Sequence, residues 1–288
     1  MHANIERKAI AAAIVLALAA WACSDSGADD DTATDVPELR VVATEDGSGV
    51  YAYELPDRVP GGATRLSLVN DGDEVHHAQL FKLDDDATVA DLGAALATGD
   101  PAAALAFGKF EGGTALVAPG TTSAADAIAD LTQGTYVLIC FVEDAGGEPH
   151  LAHGMLHPFG VTTADAPPSV PEADAQVELV DYGFDFPESI PGDALLEITN
   201  AADLEPHEME IARLDEAATA DEALDALAAG TPPPATPVGG MQALLPGASQ
   251  SLQLDLAPGE YVVWCSIPSP TDAVPHHAKG MFREVTVT

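Results

Sequence analysis

The chain has 288 residues, of which 47 are acidic and 10 are basic, and its formal net charge at pH 7 is −37. Phosphate backbones and anionic lipid surfaces repel such a chain, so no nucleic-acid binding is expected, whereas a basic protein partner would be attracted. The length accommodates one large domain or two small ones.

Residues 1–22 have the order of a secretory signal. A short basic start precedes residues 9–22, an apolar run that is shorter than the roughly 20 residues needed to span a membrane. Ala20 and Ala22 lead to Cys23 in an arrangement that resembles a lipoprotein cleavage box, in which the cysteine carries lipid. We therefore expect an exported lipoprotein at the periplasm or cell surface, anchored to the membrane through this lipid alone. Ordinary signal-peptidase cleavage and free secretion are the alternative.

The chain after this segment contains an internal repeat. Residues 23–38 come first; they are polar and acidic without an apolar period, and they are predicted to form a flexible tether. Beyond them, the segment 51–70 resembles 182–200, and the segment 134–162 resembles 259–288. Repetition over most of the remaining length predicts two copies of one domain.

The repeat also predicts the domain limits and the fold class. A linker rich in proline and alanine, residues 164–174, separates the predicted domains at 39–163 and 175–288. Within each copy the apolar period is mostly two, as in strands buried on one face. An alanine- and leucine-rich stretch closed by glycine interrupts it at 87–99 and at 218–230, which is typical of a helix. The prediction is an all-β fold of two tandem sandwiches, each with a short helical insertion.

Eight of the nine histidines fall in two kinds of segment, one after a strand that ends in asparagine and one after the strand with the cysteine. Each copy has the order His, Cys, His, Met, with a glycine directly before the methionine. The two sets are His76, Cys140, His150 and Met155 in the first copy, and His207, Cys265, His276 and Met281 in the second. Two imidazoles, a thiolate and a weak thioether are the donors of a blue-copper electron-transfer centre, because sulfur favours Cu(I) and imidazole serves both oxidation states.

The arrangement resembles the cupredoxins, the family of blue type 1 copper proteins. The resemblance lies in G-x-Y-x-x-x-C strands that begin at Gly134 and Gly259 and in His-x-x-x-Gly-Met loops at 150–155 and 276–281, and it covers nearly all of both repeats. It implies two tandem cupredoxin-like Greek-key β-sandwiches. It also implies that the His, Cys, His and Met of each set bind copper, so that up to two copper ions are expected.

The cysteine-to-histidine loops are long. Nine residues separate Cys140 from His150, and ten separate Cys265 from His276. This spacing is similar to the type 1 loop of copper nitrite reductases and longer than that of small plastocyanin-like proteins.

No histidine adjoins either cysteine of the two sets. The neighbours are Ile139 and Phe141 around Cys140, and Trp264 and Ser266 around Cys265. Oxidases and nitrite reductases pass electrons through such a histidine to a second copper centre, so we predict that the protein is not an enzyme. The main expectation is single-electron transfer with a basic redox partner such as a cytochrome. Copper capture or delivery and a metal-free surface or interaction protein are the alternatives.

Other residues near the two sets have simpler interpretations. A disulfide between Cys140 and Cys265 is the alternative use of these thiols, and it requires Cα atoms within about 7 Å. Asn70 and Asn200, which precede the first histidines, either brace the ligand loops or act as turn residues. The additional histidines are interpreted as surface residues or as neighbours of the ligands; they are His77, His153, His157 and His277.

Overall fold

The computed structural model describes residues 36–45, 47 and 49–288. The predicted signal segment 1–22, the predicted lipidation site Cys23 and most of the predicted tether 23–38 lie outside the described residues. The first strand begins at Glu38, one residue before the predicted start of the first domain.

The described chain consists mainly of strands, in the same order in its two halves. The first half contains β1 (Glu38–Glu45), β2 (Tyr51–Glu54), β3 (Arg58–Pro60), β4 (Gly62–Asn70), β5 (His76–Leu83), α1 (Val89–Leu96), β6 (Gly108–Val117), β7 (Ala125–Leu131), β8 (Gly134–Ile139) and β9 (Leu156–Thr162). The second contains β10 (Ala175–Val180), β11 (Gly183–Asp185), β12 (Ser189–Ile190), β13 (Leu195–Asn200), β14 (His207–Leu214), α2 (Ala220–Ala228), β15 (Ala235–Leu244), β16 (Ser249–Leu254), β17 (Gly259–Trp264) and β18 (Phe282–Val287). Three short 3-10 helices lie in the described connections between these elements, at Pro101–Ala106, His150–His153 and His276–Lys279.

Each half is a Greek-key sandwich of two sheets. In the first half, one sheet has the order β2-β1-β4-β7 and the other has the order β6-β5-β8-β9-β3. The second half repeats both, as β11-β10-β13-β16 and β15-β14-β17-β18-β12. The chain crosses between the sheets after β4 and again after β6 and β7, as a Greek key requires. The predicted fold class is confirmed.

The predicted helical insertions are present in both halves. Helix α1 follows β5 and helix α2 follows β14, and both are a little shorter than the segments predicted from composition. Thr88 and Thr219 cap them; each side chain accepts a hydrogen bond from the backbone three residues on, where Asp91 or Glu222 bonds back to the cap. Such a capping box is worth about 1 kcal/mol to a helix of this length.

The two halves join edge to edge. Strand β6 pairs antiparallel with β15, where Thr114 faces Met241, and β7 pairs antiparallel with β16, where Ala127 faces Leu252. The members of each facing pair occupy matching positions in the repeat, so a local two-fold axis relates the halves. Both sheets therefore continue from one half into the other, and the described residues fall in one compact unit. The domain limits 39–163 and 175–288 stay a prediction.

Each sandwich encloses its own apolar core. Cys140 and Met155 lie in the core of the first half, and Cys265 and Met281 lie in the core of the second. Burial of these side chains follows from their position at the ends of strands that face the opposite sheet. Among the described residues, no helix has the length and apolar composition that a membrane crossing requires.

Candidate metal centres

The predicted ligands of the first copy converge at one end of the first sandwich. His76 begins β5, Cys140 directly follows β8, and His150 begins the 3-10 helix in the loop before β9. Because β5 and β8 are paired neighbours, the start of one and the end of the other lie side by side. One nitrogen of each imidazole and the thiol sulfur all lie within 4.8 Å of one another. We call these three residues, with Met155, centre 1.

The atoms of centre 1 that face each other are specific. His76 Nδ1 lies 3.0 Å from His150 Nδ1. Cys140 Sγ lies 3.9 Å from the first of these nitrogens and 3.6 Å from the second. All three side chains are fully buried.

The second copy builds the same arrangement, which we call centre 2. His207 Nδ1 lies 3.0 Å from His276 Nδ1, and Cys265 Sγ lies 3.4 Å from the latter. These residues are also fully buried, and their donor atoms fall within the same 4.8 Å limit. Each centre could hold one copper ion.

Both methionines lie beside these groups. The Met155 carbonyl accepts a hydrogen bond from the Cys140 N–H at 3.1 Å, and the Met155 N–H donates to the His150 carbonyl at 3.0 Å. Gly154 makes this turn possible, because its φ of 109° lies in the left-handed region that disfavours other residues. Met281 makes the matching main-chain bonds to Cys265 and His276.

The outer nitrogens of centre 1 bind carboxylates. His76 Nε2 lies 2.8 Å from Glu45, and His150 Nε2 lies 2.9 Å from Glu74. An ionised carboxylate only accepts hydrogen bonds, so each Nε2 carries the proton and each Nδ1 presents a lone pair to the centre. The two nitrogen lone pairs face each other across 3.0 Å and repel without a cation between them. The donor set therefore fits a soft metal ion.

Centre 2 has one such carboxylate. His276 Nε2 lies 2.7 Å from Glu205, which matches Glu74 in the repeat. His207 Nε2 is buried and has no hydrogen-bond partner within the described part of the chain. The two centres therefore share their inner donor atoms and differ in what orients the first histidine.

Burial sets the protonation of the free centres. It raises the pKa of the Cys140 thiol to about 12 and raises that of Cys265 well above its ordinary value. Burial also lowers the pKa of His76, and it lowers that of His207 to about 4, helped by the nearby His276. Near neutral pH the imidazoles of His76 and His207 are thus uncharged and ready to bind, while the thiols keep their protons until a metal displaces them.

The two asparagines brace the ligand loops in the same way. Asn70 Nδ2 donates to the Glu74 carbonyl at 2.7 Å and to the Val117 carbonyl at 2.9 Å. Asn200 Nδ2 donates to the Glu205 carbonyl at 3.0 Å. Both side chains are fully buried, so the bracing interpretation, and not that of a simple turn residue, describes them.

Aromatic residues that the sequence reasoning missed contact the centres. Tyr51 stacks on His150 with 4.2 Å between ring centroids, and Tyr182 meets His276 edge-on at 5.2 Å. The Tyr53 hydroxyl donates to the His77 carbonyl and contacts the Cys140 thiol. The available sequence signal was the pair Tyr51 and Tyr53, two residues apart and therefore on the same face of a strand in the first copy.

The additional histidines have distinct positions. His77 is a buried neighbour of centre 1, where its Nε2 accepts the Phe141 N–H at 2.6 Å. His277 is buried beside Cys265, and its Nδ1 lies 3.3 Å from that carbonyl. His153 and His157 are only partly buried, and the former lies 3.1 Å from Asp144. Cys140 and Cys265 are both free thiols, so the alternative of a disulfide between them is wrong.

Comparisons with known proteins find only distant similarity to solved structures. No family model and no curated protein matches the chain. Among solved structures, a dithionite-reduced auracyanin from Roseiflexus castenholzii is 24% identical over 40% of this chain and 95% of its own, with a TM-score of 0.29. A multicopper oxidase is 16% identical over 87% and 88%, with a TM-score of 0.27. The copper nitrite reductase of Nitrosomonas europaea is 14% identical over 88% and 94%, with a TM-score of 0.25.

These TM-scores are too low to carry an argument, so the classification rests on strand order and on the position of the donor atoms. Both halves have a cupredoxin-like fold: a two-sheet Greek-key sandwich with a His, Cys, His and Met set at one end of one sheet.

Proposed function

We propose that this protein binds one copper ion in each centre and transfers single electrons. The observation that carries the proposal is the buried convergence of two imidazole Nδ1 atoms and one thiol sulfur, with 3.0 Å between the nitrogens, in both halves. Bound copper would supply the one-electron Cu(II)/Cu(I) couple at these donors.

The residues of the chain hold these donors in place before any metal arrives. His76 begins a strand, Cys140 is tied to Met155 through the backbone, and Asn70 braces the loop in front of them. A rigid donor set limits how far ligands move when the charge of a bound ion changes. Rapid electron exchange requires small movement of this kind.

Electron transfer, and not oxidation of a substrate, is the role that the surroundings favour. The residues that flank the two cysteines contain no histidine that would lead to a further centre. Within the described part of the chain, centres 1 and 2 are the clusters of three or more potential His, Cys, Asp or Glu ligands. We therefore propose a carrier without oxidase or nitrite reductase activity.

The charge and the N-terminus support a location and a partner. The net charge of −37 favours a basic redox protein such as a cytochrome, which would be steered to the acidic surface. The carboxylates of Glu45 and Glu74 lie at the edge of centre 1 and add to this field. We propose an exported protein at the periplasm or cell surface, attached through lipid on Cys23.

A copper titration tests the metal sites. Full-length chain with Cys23→Ser keeps only the thiols of Cys140 and Cys265, because the chain has three cysteines. We expect two equivalents of Cu(II) to produce an intense thiolate-to-copper band. Cys140→Ser and Cys265→Ser should each remove one equivalent and part of the band. Binding without the band would indicate copper capture or delivery, and no binding would leave a metal-free interaction protein.

Electron transfer is tested separately on the loaded protein. A reduced basic cytochrome should bleach the thiolate-to-copper band, and the rate should fall steeply as ionic strength rises, since the partners carry opposite charges. An acidic cytochrome is the matched control and should react much more slowly. A rate that does not depend on salt would contradict the proposed type of partner.

A further inference from the structure

A path of buried polar side chains crosses the junction between the two halves beside centre 1. Strands β6 and β15 meet there, and the buried side chains at the junction include Gln79, Glu210, Gln242 and Gln250. Buried polar groups destabilise a fold unless they are hydrogen-bonded, so each hydrogen bond along such a path constrains the next one.

This path begins at the backbone next to the thiol of centre 1. The N–H of Phe141, the residue after Cys140, donates to His77 Nε2 at 2.6 Å. Because this nitrogen accepts a hydrogen bond, the ring proton of neutral His77 lies on Nδ1. The same ring contacts the side chain of Gln242, which belongs to β15 of the other half.

The carboxyl group of Glu210 fixes the orientation of that amide. Gln242 Nε2 donates to Glu210 Oε1 at 3.0 Å, so its carbonyl oxygen is the atom left to accept the His77 Nδ1 proton. The other oxygen of Glu210 accepts the Leu116 N–H from the first half at 2.8 Å. Each polar atom along this path thus has a defined role as donor or acceptor.

Centre 2 has no counterpart of this path. Glu208 stands where the first copy has His77, and it accepts the N–H of Ser266, the residue after Cys265, at 2.8 Å. The position that matches Gln242 in the first copy is Ala115, which has no polar side chain to offer. The bonds that hold Glu208 come from the backbone of its own half.

We infer that Gln242 is a positioning residue of centre 1 that acts across the junction: it fixes His77, and His77 fixes the main chain that carries the Cys140 thiol. Centre 1 is completed by the other half of the molecule, whereas centre 2 is built within its own half. The inference rests on the proposed function for its consequence at copper, but the hydrogen-bonded path itself belongs to the metal-free protein.

The test compares substitutions of Gln242 with one at a second junction glutamine. Gln242→Met keeps the length of the side chain and removes both polar atoms, and Gln242→Glu keeps an acceptor for His77. Gln250→Met is the control, because Gln250 bonds the Gly113 N–H and the Glu111 carbonyl across the same junction by a separate route. All variants are made in the full-length chain with Cys23→Ser.

The first measurement needs no copper. Nitrogen NMR of the imidazoles in the metal-free chain should show His77 as a single Nδ1–H tautomer in the parent, in Gln242→Glu and in Gln250→Met. Gln242→Met should lose this preference. A His77 tautomer that is unchanged in Gln242→Met, or equally changed in Gln250→Met, would overturn the inference even if copper binds as proposed.

The second measurement uses copper and separates the centres. In a Cys265→Ser background, which leaves the thiol of centre 1, Gln242→Met should lower copper affinity about tenfold and change the copper hyperfine splitting in the EPR spectrum. In a Cys140→Ser background the same substitution should leave centre 2 unchanged. Equal changes in both backgrounds would show a general loosening of the junction and overturn the assignment. If neither background binds copper, the proposed function fails, while the NMR result still decides the path.

Discussion

Centres 1 and 2 have the same donor atoms but different residues around them. Both place two Nδ1 atoms 3.0 Å apart with a thiol beside them, on matching strand ends. Around these atoms, centre 1 has a carboxylate on each histidine, whereas His207 Nε2 of centre 2 has no partner among the described residues. The contrast shows that strand ends fix the inner donors, while the residues behind them diverged after duplication.

The strand register explains part of this divergence. Ala43 pairs with Asn70 in the first half, and Leu179 pairs with Asn200 in the second, so the position that matches Glu45 is Asp181. Aspartate is one methylene shorter and is followed directly by the turn at Tyr182, which has a positive φ of 57°. The carboxylate of the second copy therefore does not take the place of Glu45.

The largest effect should come from a feature that both centres share. Asn70→Ala removes two buried side-chain donors and the acceptor of the Gly72 N–H, and it leaves their partners unsatisfied. We expect a loss of about 3 kcal/mol in the free energy of unfolding, and the same for Asn200→Ala. Urea unfolding of the metal-free chain measures this. Thr199→Ala, a half-buried neighbour whose hydroxyl bonds only to Ser249, is the control. A loss in only one of the two asparagine variants would show that the brace is not common to both halves.

A second experiment tests a difference between the halves in a buried ionisable group. Burial raises the pKa of Glu210 well above its ordinary value of 4.5, and Glu208 raises it further, whereas the matching residue of the first half is Gln79. At this site the folded state then binds more protons than the unfolded state. The contribution of Glu210 to stability is therefore highest below about pH 4.5 and falls as pH rises, by at most about 1.4 kcal/mol per pH unit.

Glu210→Gln should reduce this dependence, as judged by urea midpoints of the metal-free chain between about pH 5 and about pH 7. Glu216→Gln, at an exposed position, should leave the dependence as it is in the parent. An unchanged slope in Glu210→Gln would mean that this carboxyl does not stay protonated in the folded protein.

The unequal carboxylates can be tested by copper affinity. Glu205→Gln should weaken copper binding at centre 2 by about tenfold, because this carboxylate orients His276. Glu74→Gln, the matching change at centre 1, should cost less, since Glu45 still holds His76. Chelator competition in the single-thiol backgrounds measures both. Equal losses of copper affinity in Glu205→Gln and Glu74→Gln would contradict this difference between the centres.

The smallest effect concerns one hydroxyl. Tyr53 contacts Cys140 through its hydroxyl, and the matching residue at centre 2 is Phe184. Tyr53→Phe should cost about 1 kcal/mol of stability and shift the thiolate-to-copper band of centre 1, because it leaves the His77 carbonyl without this donor and removes a polar hydroxyl from beside the sulfur. The spectrum of centre 2 should not move. Val59→Ala, in the same core without a polar atom, is the control for a purely packing effect.

Sequence reasoning reached the fold and the inner donors because both depend on local or repeated signals. Alternation of apolar residues indicated the strands, and the glycine-closed stretches indicated α1 and α2. Two copies of one His, Cys, His and Met order revealed the ligands, since a chance arrangement would not recur at matching positions. The helices are shorter than predicted at both ends: Thr88 and Thr219 cap them at the second residue of the predicted segments, and they end at Leu96 and Ala228, before the glycines that close those segments.

The residues behind the ligands were not predictable for a physical reason. Glu45, Glu74 and Glu205 are 3 of 47 acidic residues, and nothing in local sequence separates a carboxylate that meets an imidazole from one in water. The contact of Gln242 with His77 joins positions far apart in the chain. It depends on how β6 and β15 align, and periodicity carries no information about which strand edges meet.

The edge-to-edge junction also bears on how the molecule arose. A single copy of the repeat would leave β6 and β7 with open hydrogen-bonding edges, and open edges recruit further strands. The partner that fits them here is the same pair of strands from a second copy, aligned about a two-fold axis. A homodimer of the ancestral domain would satisfy the same pairing by association. A single chain makes that pairing independent of concentration, and it allows position 242 to be glutamine while its counterpart, position 115, is alanine.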